Sequence, residues 1–501
     1  MKRILLILSV FLLLPCIAGA AVPTLVQHVA VNGINEPYKY TSIKIPLPNL
    51  TLSNNAVIAR FFCDAGVTVT VSDDKTNGWA SVVNEADGSN GQQGIWMAQG
   101  ITAGARYITF SFSGSGVQYF NCDISEFYNV ATSGGADATG VNVVSSTAIT
   151  TAANVSPSTS GDLIYLAAAS DTVSWGGGSG SVAYTLGSQS NITWQFAPGS
   201  TNSADGCVVQ YGQYTASAAF KPAMTASSFN WIVCAMAVKS ASAGTAPTTI
   251  PRVVSVAHYN FSSVATLGLQ NVTQGNLQIA LQTSGTTISA ITSTRGTWNS
   301  RESASAVSGG GGYALLQDCS QSAGNQTLTV TYGAYSGMGN DLMLLDVTGA
   351  AASPWDTGVA LSNESQASGS VLGLCTDSAC SGHTTITPST SNGLIVAVAS
   401  VSIGTLQTTA GGAVAINGYG LANESDTPLD QNNGFGIYNN PNTSAVSFIW
   451  NETTQVGSWC GVAGAYKAPA SAKSTSRGFG YSAGGGGSYT QGGGYTAGGG
   501  Y

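Results

Sequence analysis

Tyr107-Ile108-Thr109-Phe110-Ser111-Phe112 alternates apolar and polar residues with a period of two, and the pattern returns as Ala216-Ala218-Phe220, Leu328-Val330-Tyr332 and Val446-Phe448-Trp450. A period of two puts these side chains on one face of a half-buried strand. A slip of one residue would turn every aromatic into solvent, so the pattern also sets the pairing register. The closing aromatics are 108, 112 and 118 residues apart, which makes the alternation a repeat of about 110 residues.

Working outward, each copy is preceded by a turn and an apolar strand: Asn54 to Ile58, Gly161 to Ile164, Gly275 to Gln278 and Asn392 to Ile395. A middle apolar run follows, at Ile95-Trp96-Met97, Val208-Val209, Tyr313 to Leu316 and Phe435 to Tyr438. A last strand closes each copy, at Phe120 to Phe127, Trp231 to Val238, Leu342 to Val347 and Trp459 to Tyr466. Small residues and prolines follow, as at Thr132 to Gly135, Ser240 to Pro251 and Gly349 to Pro354, which are linker compositions. Many short strands with Gly, Asn and Ser turns predict an all-β chain of four tandem β-sandwich domains. The expected boundaries are 21–131, 138–240, 251–349 and 354–468, with the domains arranged as separate beads, each closing its own two-sheet core.

The first copy resembles a secreted bacterial β-sandwich repeat of uncharacterised function. The likeness rests on Asn77-Gly78-Trp79, Ile95-Trp96-Met97-Ala98, Gly104, the Ile108-Phe110-Phe112 strand and Glu126 to Val130. It covers about 75 residues and fades in the later copies, where Val238, Asp346 and Gly464 replace the closing Glu126. It implies a sandwich fold and export, and it brings no catalytic residues.

Residues 1–20 read as a signal peptide: Lys2 and Arg3, an apolar run from Ile4 to Leu14, and Ala18-Gly19-Ala20 before the cleavage point. The run is too short to span a bilayer, and no later segment supplies a membrane helix. A secreted or cell-surface location is therefore expected. At the other end, 469–501 reads as a disordered tail, since Gly478 to Tyr501 holds 12 glycines, four tyrosines and no charge. Evenly spaced tyrosines on a glycine chain suit self-association. Only 8% of residues are charged, against about 25% in ordinary domains, so hydroxyls and amides must cover the surface. The net charge of −8, with no basic stripe, argues against nucleic acid as a partner.

Little in the sequence points to chemistry. His28, His258 and His383 fall in different copies, which separate beads would keep apart, so neither a metal site nor a Ser-His-Asp arrangement is expected. Asp73-Asp74, Glu85 with Asp87, and Asp123 with Glu126 are carboxylate pairs; the first reads as a polar turn and the last as residues on opposite strand faces. No cofactor is expected. Asp73-Asp74 and Glu424-Ser425-Asp426 offer oxygens to Ca²⁺ without the spacing of a calcium loop. Trp79, Trp175, Trp194, Trp298 and Trp355 read as core residues, or alternatively as a sugar-stacking platform. Cys63–Cys122, Cys207–Cys234 and Cys375–Cys380 are either disulfides of an exported protein or buried thiols. These readings favour a non-enzymatic structural or adhesion protein, a multivalent scaffold whose partners would be surface polysaccharide or other extracellular proteins. A carbohydrate-binding protein and a secreted hydrolase are the alternatives.

Overall fold

The computed structural model describes residues 21–470 apart from internal stretches, the longest being 171–183, 374–384 and 420–431. The leader, the tail, Trp175, His383, Cys375, Cys380 and Glu424 to Asp426 lie outside the described residues. The described residues form no helix and 29 strands. Those of the first copy are β1 (Thr24–Tyr40), β2 (Ser42–Pro46), β3 (Ala56–Asp64), β4 (Val69–Asp73), β5 (Trp79–Ala86), β6 (Gly91–Gln99), β7 (Tyr107–Phe112) and β8 (Val117–Tyr128). The second copy has β9 (Ala138–Thr150), β10 (Asp162–Ala169), β11 (Gln195–Phe196), β12 (Cys207–Tyr214) and β13 (Ala223–Val238). The third has β14 (Arg252–Phe261), β15 (Ala265–Leu269), β16 (Leu277–Ser284), β17 (Ile288–Ser293), β18 (Asn299–Ser305), β19 (Tyr313–Ser320), β20 (Gln326–Tyr332) and β21 (Asn340–Thr348). The fourth has β22 (Trp355–Asn363), β23 (Val371–Gly373), β24 (Gly393–Val401), β25 (Leu406–Thr408), β26 (Asn417–Tyr419), β27 (Asn432–Asn440), β28 (Ile449–Glu452) and β29 (Trp459–Tyr466).

In the first copy the strands run β1-β8-β3-β6-β5 in a large sheet and β2-β7-β4 in a small one. That is the order of a jelly roll with its fifth strand at the edge of the larger sheet. The large-sheet order recurs as β9-β13-β10-β12-β11, β14-β21-β16-β19-β18 and β22-β29-β24-β27-β26. The alternating strand that opened the sequence reading, β7, is the centre of the small sheet; Ile108, Phe110 and Phe112 are all buried, and Phe110 and Phe112 meet Phe120 edge-on. The turns before the opening strands use left-handed backbone where expected, at Asn54 (φ 61°), Gly161 (φ 100°) and Asn392 (φ 57°).

The expectation of separate beads fails. Strands β1 and β14 pair in parallel, His28 beside Ser255 through Asn32 beside Tyr259, and fuse the first and third large sheets into one of ten strands. The second copy's large sheet stacks on the first copy's, where Ala56, Ile58, Ile95 and Met97 meet Leu163, Tyr165, Val209 and Met236. The fourth stacks likewise on the third, where Leu277, Ile279 and Leu281 meet Leu394, Val396 and Val398. The faces swap across the junction. On one face, the first copy's own core of Ile45, Val71 and Phe110 runs on into the third–fourth interface. On the other, the third copy packs its own core, with Ala280 against Ile291, Leu328 and Val330. Parallel edges with swapped faces define an approximate two-fold axis along the strands, which relates copies one and two to copies three and four.

The central strands of the large sheets are therefore buried on both faces, and β10 and β16 are buried at every residue. Stacking this close requires small residues. A Cβ built on Gly464 of β29 would run into Leu316 Cδ2 and fall 2.8 Å from the Trp355 ring. Gly464→Val should lower stability by about 1–3 kcal/mol through overpacking, read in a urea titration as a lower midpoint with an unchanged slope.

Candidate functional site

Strand pairing collects a concentrated polar cluster, among the described residues, under the second copy. Strands β1, β8 and β3 are neighbours, so His28 of β1, Asn121, Asp123 and Ser125 of β8, and Arg60 of β3 come together on the face that meets β10. His28 Nδ1 lies 2.9 Å from Ser125 Oγ, and its Nε2 lies 3.3 Å from Asp123 Oδ1. Arg60 Nη1 donates to Asp123 Oδ2 at 3.1 Å and to Asn121 Oδ1, while its Nε donates to Gln93 Oε1 at 2.9 Å. Gln93 Nε2 then crosses the interface to Ala167 O (3.2 Å) and Ile232 O (2.9 Å), and Asn121 Nδ2 crosses to Cys207 Sγ (2.6 Å). His28, Arg60, Gln93, Asn121 and Ser125 are fully buried, and Asp123 is 2% exposed.

This corrects the expectation that the histidines stand apart from catalytic partners: a Ser, a His and an Asp are within contact distance. Ser125 is fully buried, and buried Tyr165 of the second copy caps the group. Burial works against the charge of Arg60, but Cys207 and Asp123 outweigh it and raise the pKa. Burial raises the Tyr165 phenol well above its ordinary value. The cluster is a buried ion pair wired by amides, which fixes how two sheets sit on each other.

The other half carries a counterpart. His258 of β14 reaches Asp341 of β21 at 3.5 Å on the face toward the fourth copy, edge-on to Phe435. Arg301 Nε donates to buried Asp318 at 2.8 Å and lies 5.1 Å over the Trp355 ring, close to buried Tyr466. A second device recurs at the first strand of copies two and four. Asp137 accepts from the Ser158 hydroxyl at 2.8 Å and its amide, with Lys239 Nζ at 3.3 Å. Asp356 accepts from the Ser389 amide and hydroxyl, both at 2.6 Å, with Lys467 Nζ at 3.8 Å. The sequence signal was the shared tetrapeptide Pro157-Ser158-Thr159-Ser160 and Pro388-Ser389-Thr390-Ser391. Burial alone would raise Asp137, yet the Ser158 bonds and Lys239 bring it below its ordinary value; burial and Asp137 itself raise neighbouring Asp162.

Several of the remaining sequence candidates are held by local hydrogen bonds or core packing. Asp73 is the hub of a turn: it accepts from the Lys75 and Asn77 amides (2.8 and 3.3 Å), Asn77 Nδ2 (3.0 Å) and Trp79 Nε1 (2.8 Å). Asp74 accepts from the Arg106 amide at 2.8 Å, so both side chains are engaged by donors. Trp194 and Trp298 are buried, and Trp79 and Trp355 pack against the core. The six described cysteines form no disulfide, and for two of the possible bridges the strand register gives the reason. Cys63 sits opposite Phe120 and Cys122 opposite Phe61; such a diagonal spans about 7–8 Å, beyond the usual disulfide reach. Cys207 and Cys234 flank β10, opposite Ala169 and Ala167, which sets them about two strand spacings apart, roughly 9–10 Å. Burial pushes the Cys63 and Cys234 thiols up to about 12.

Glu126, on the opposite face from Asp123, ties the end of the first sheet together. It accepts from Gln27 Nε2 (2.6 Å), Asn55 Nδ2 (2.6 Å) and the Leu52 amide (2.8 Å), and burial raises its pKa despite these donors. The fold thus favours the neutral carboxyl. Its contribution to stability is complete below the unfolded value of 4.5 and is lost as pH rises through the folded value. The stability difference between wild type and Glu126→Gln, followed by urea titration across this window, should shift in favour of the variant as pH rises.

Removing one member of the Arg60 pair leaves the other buried and unpaired. Asp123→Ala should cost about 3–5 kcal/mol, and the double variant Arg60→Met/Asp123→Leu should recover most of that loss. Chemical denaturation of both variants checks it. No protein-family model matches this chain, and no curated protein or solved structure is significantly similar to it.

Proposed function

We propose that this protein is a non-enzymatic extracellular or surface scaffold, whose task is to hold a large, weakly charged β-surface in a fixed shape. The observation that carries this reading is where the charge lies. Arg60, Asp123, Glu126, Asp162, Arg252, Asp318, Asp341 and Asp346 are all buried in a chain with only 38 acidic and basic residues. Most of these groups sit between sheets or at sheet ends, where they set geometry. The outer surface carries mainly hydroxyls and amides with a few scattered charges, which suits many weak contacts gaining strength through multivalency. Immunolabelling of intact cells with surface proteolysis tests the reading: accessible antigen is expected, and antigen confined to the cytosol overturns it.

A neutral-glycan-binding role is the second reading, and one feature favours it. A cleft of about 480 Å³ between the start of β1 and strands β11 and β12 is lined by Thr24, Thr193, Gln195, Tyr211, Gln213 and Thr215, with no charged group among its lining residues. The aromatic-platform version has less behind it, because the exposed large apolar side chains among the described residues are Val22, Leu50 and Val143. Retention on insoluble polysaccharides, lost in Tyr211→Ala, would favour this second reading over the first.

A further inference from the structure

The two sheets of the first copy part along one side, where β5 ends the large sheet and β4 ends the small one. These two edges are clasped at both ends. At one end Trp79 Nε1 of β5 donates to Asp73 Oδ2 of β4 at 2.8 Å. At the other, Gln92 Nε2 of β6 donates to Val67 O, just before β4, at 2.5 Å. Between the clasps lies a cleft of about 510 Å³, within the range of roughly 300–1,000 Å³ typical of small-ligand sites. Phe61 and half-buried Trp96 line it. Gly94 lies between Gln92 and Trp96 on the same face of β6, and a Cβ there would come 2.6 Å from the Phe61 ring. The missing side chain is what admits Phe61 to an aromatic floor.

The rim is polar by a local device. Residues three apart on a regular strand face opposite ways. The β5–β6 ladder slips between Ser81 and Val83, so that Ser81 sits opposite Trp96 and Asn84 opposite Gly94, two residues apart on β6. The bulge thereby turns exposed Ser81 and Asn84 to the side of the aromatic floor, and both line the cleft. No charged residue is among its lining residues. We propose that this cleft binds a short neutral saccharide. A sugar ring has an apolar C–H face for the Trp96 and Phe61 floor and hydroxyls at its edge for the Asn84 amide and the Ser81 hydroxyl. A wholly apolar ligand would leave that amide and hydroxyl unused, and an ionic one would find no countercharge. The site lies in a different copy from the cleft at β11 and β12, in a groove rather than on an exposed platform. It rests on no part of the scaffold reading, which localisation tests separately.

Isothermal titration calorimetry of the full chain with cellotetraose, xylotetraose, mannotetraose and tetra-N-acetylchitotetraose is the test. Wild type and Tyr211→Ala should bind at least one of these sugars alike. Ser81→Trp, which fills the mouth from an exposed position, and Asn84→Ala should each weaken that binding about tenfold or more, a shift of roughly 1.4 kcal/mol. Trp96→Leu should abolish it. Asn84→Ala is a truncation at an exposed position and should keep the wild-type melting curve, so it carries the test if a larger change disturbs folding. A wild type that binds none of the four sugars overturns the proposal. So does binding that Asn84→Ala leaves unchanged, or binding that disappears in Tyr211→Ala, which would assign it to the cleft at β11 and β12.

Discussion

The architecture turns on five parallel residue pairs between β1 and β14. Parallel pairing of two leading strands cannot come from a hairpin; it needs a long connection, and here the rest of the first copy and the entire second copy form it. Because the pairing is edge to edge, the faces of the two sheets swap across it, and each half needs its own cover on the opposite side. The second and fourth copies supply those covers. Side chains pin the junction beyond the ladder: Arg252 Nη1 donates to Val26 O at 2.6 Å, and Asn49 Nδ2 donates to Val253 O at 2.7 Å. Loss of the β1–β14 contact would free two sheet edges and remove the Arg252 and Asn49 bonds across the junction.

Composition follows from this layering. A sandwich standing alone shows one face of each sheet to water and reads as clean alternation. Here the central strands of the large sheets are covered on both faces, so β3, β10 and β24 read as near-continuous apolar runs, and alternation is kept in the small sheets. With so much of the surface withdrawn, few positions need charge for solubility. Several charges that remain are placed inside, at the sheet-on-sheet contacts. Replacing them with apolar side chains would cost little in principle; what such groups supply is a single way for two otherwise featureless apolar faces to dock. The Gln93 amide bonded to Ala167 O and Ile232 O, and the Arg301–Asp318 pair under Trp355, act in this way in the two halves.

How much was legible in the sequence follows from the same physics. Fold class was readable because β7 and β20 keep their alternation in the small sheets, and because Asn54, Gly161 and Asn392 mark turns that need left-handed backbone. The stacking was not, because a strand buried on both faces has no preferred phase. Cys122, Cys234 and Cys460 align in the repeat, yet Cys122 faces its own sandwich core while Cys234 and Cys460 send their thiols to Gln93 O and Gly312 O of the neighbouring sheet, at 3.5 and 3.3 Å. Where both faces are apolar, a one-residue slip leaves no mark in the pattern. The polar cluster was missed for a related reason. His28 and Asp123 are 95 residues apart and become neighbours only because the first and last strands of a jelly roll pair. The tetrapeptide shared by residues 157–160 and 388–391 was the clearest trace of the duplication, and it pointed to pairs of copies rather than to four equal units.

That pairing hierarchy explains why the copies have diverged where they have. Copies one and three must offer a leading strand that accepts a parallel neighbour, so the segment after β1 is held aside, with Asn49 bonded to Gln27 and to Val253 across the junction. Copies two and four instead anchor the same corner to themselves, through Asp137–Ser158–Lys239 and Asp356–Ser389–Lys467. The Asp-Ser clamp draws the following loop back against the leading strand, which is how the Ala152 amide comes to occupy Val141 O. One corner of the fold therefore carries two alternative solutions: a shared ladder where a sister sheet must join, and an internal clamp where it must not. The choice between them at each copy is what stops four similar sandwiches from pairing at random within one chain.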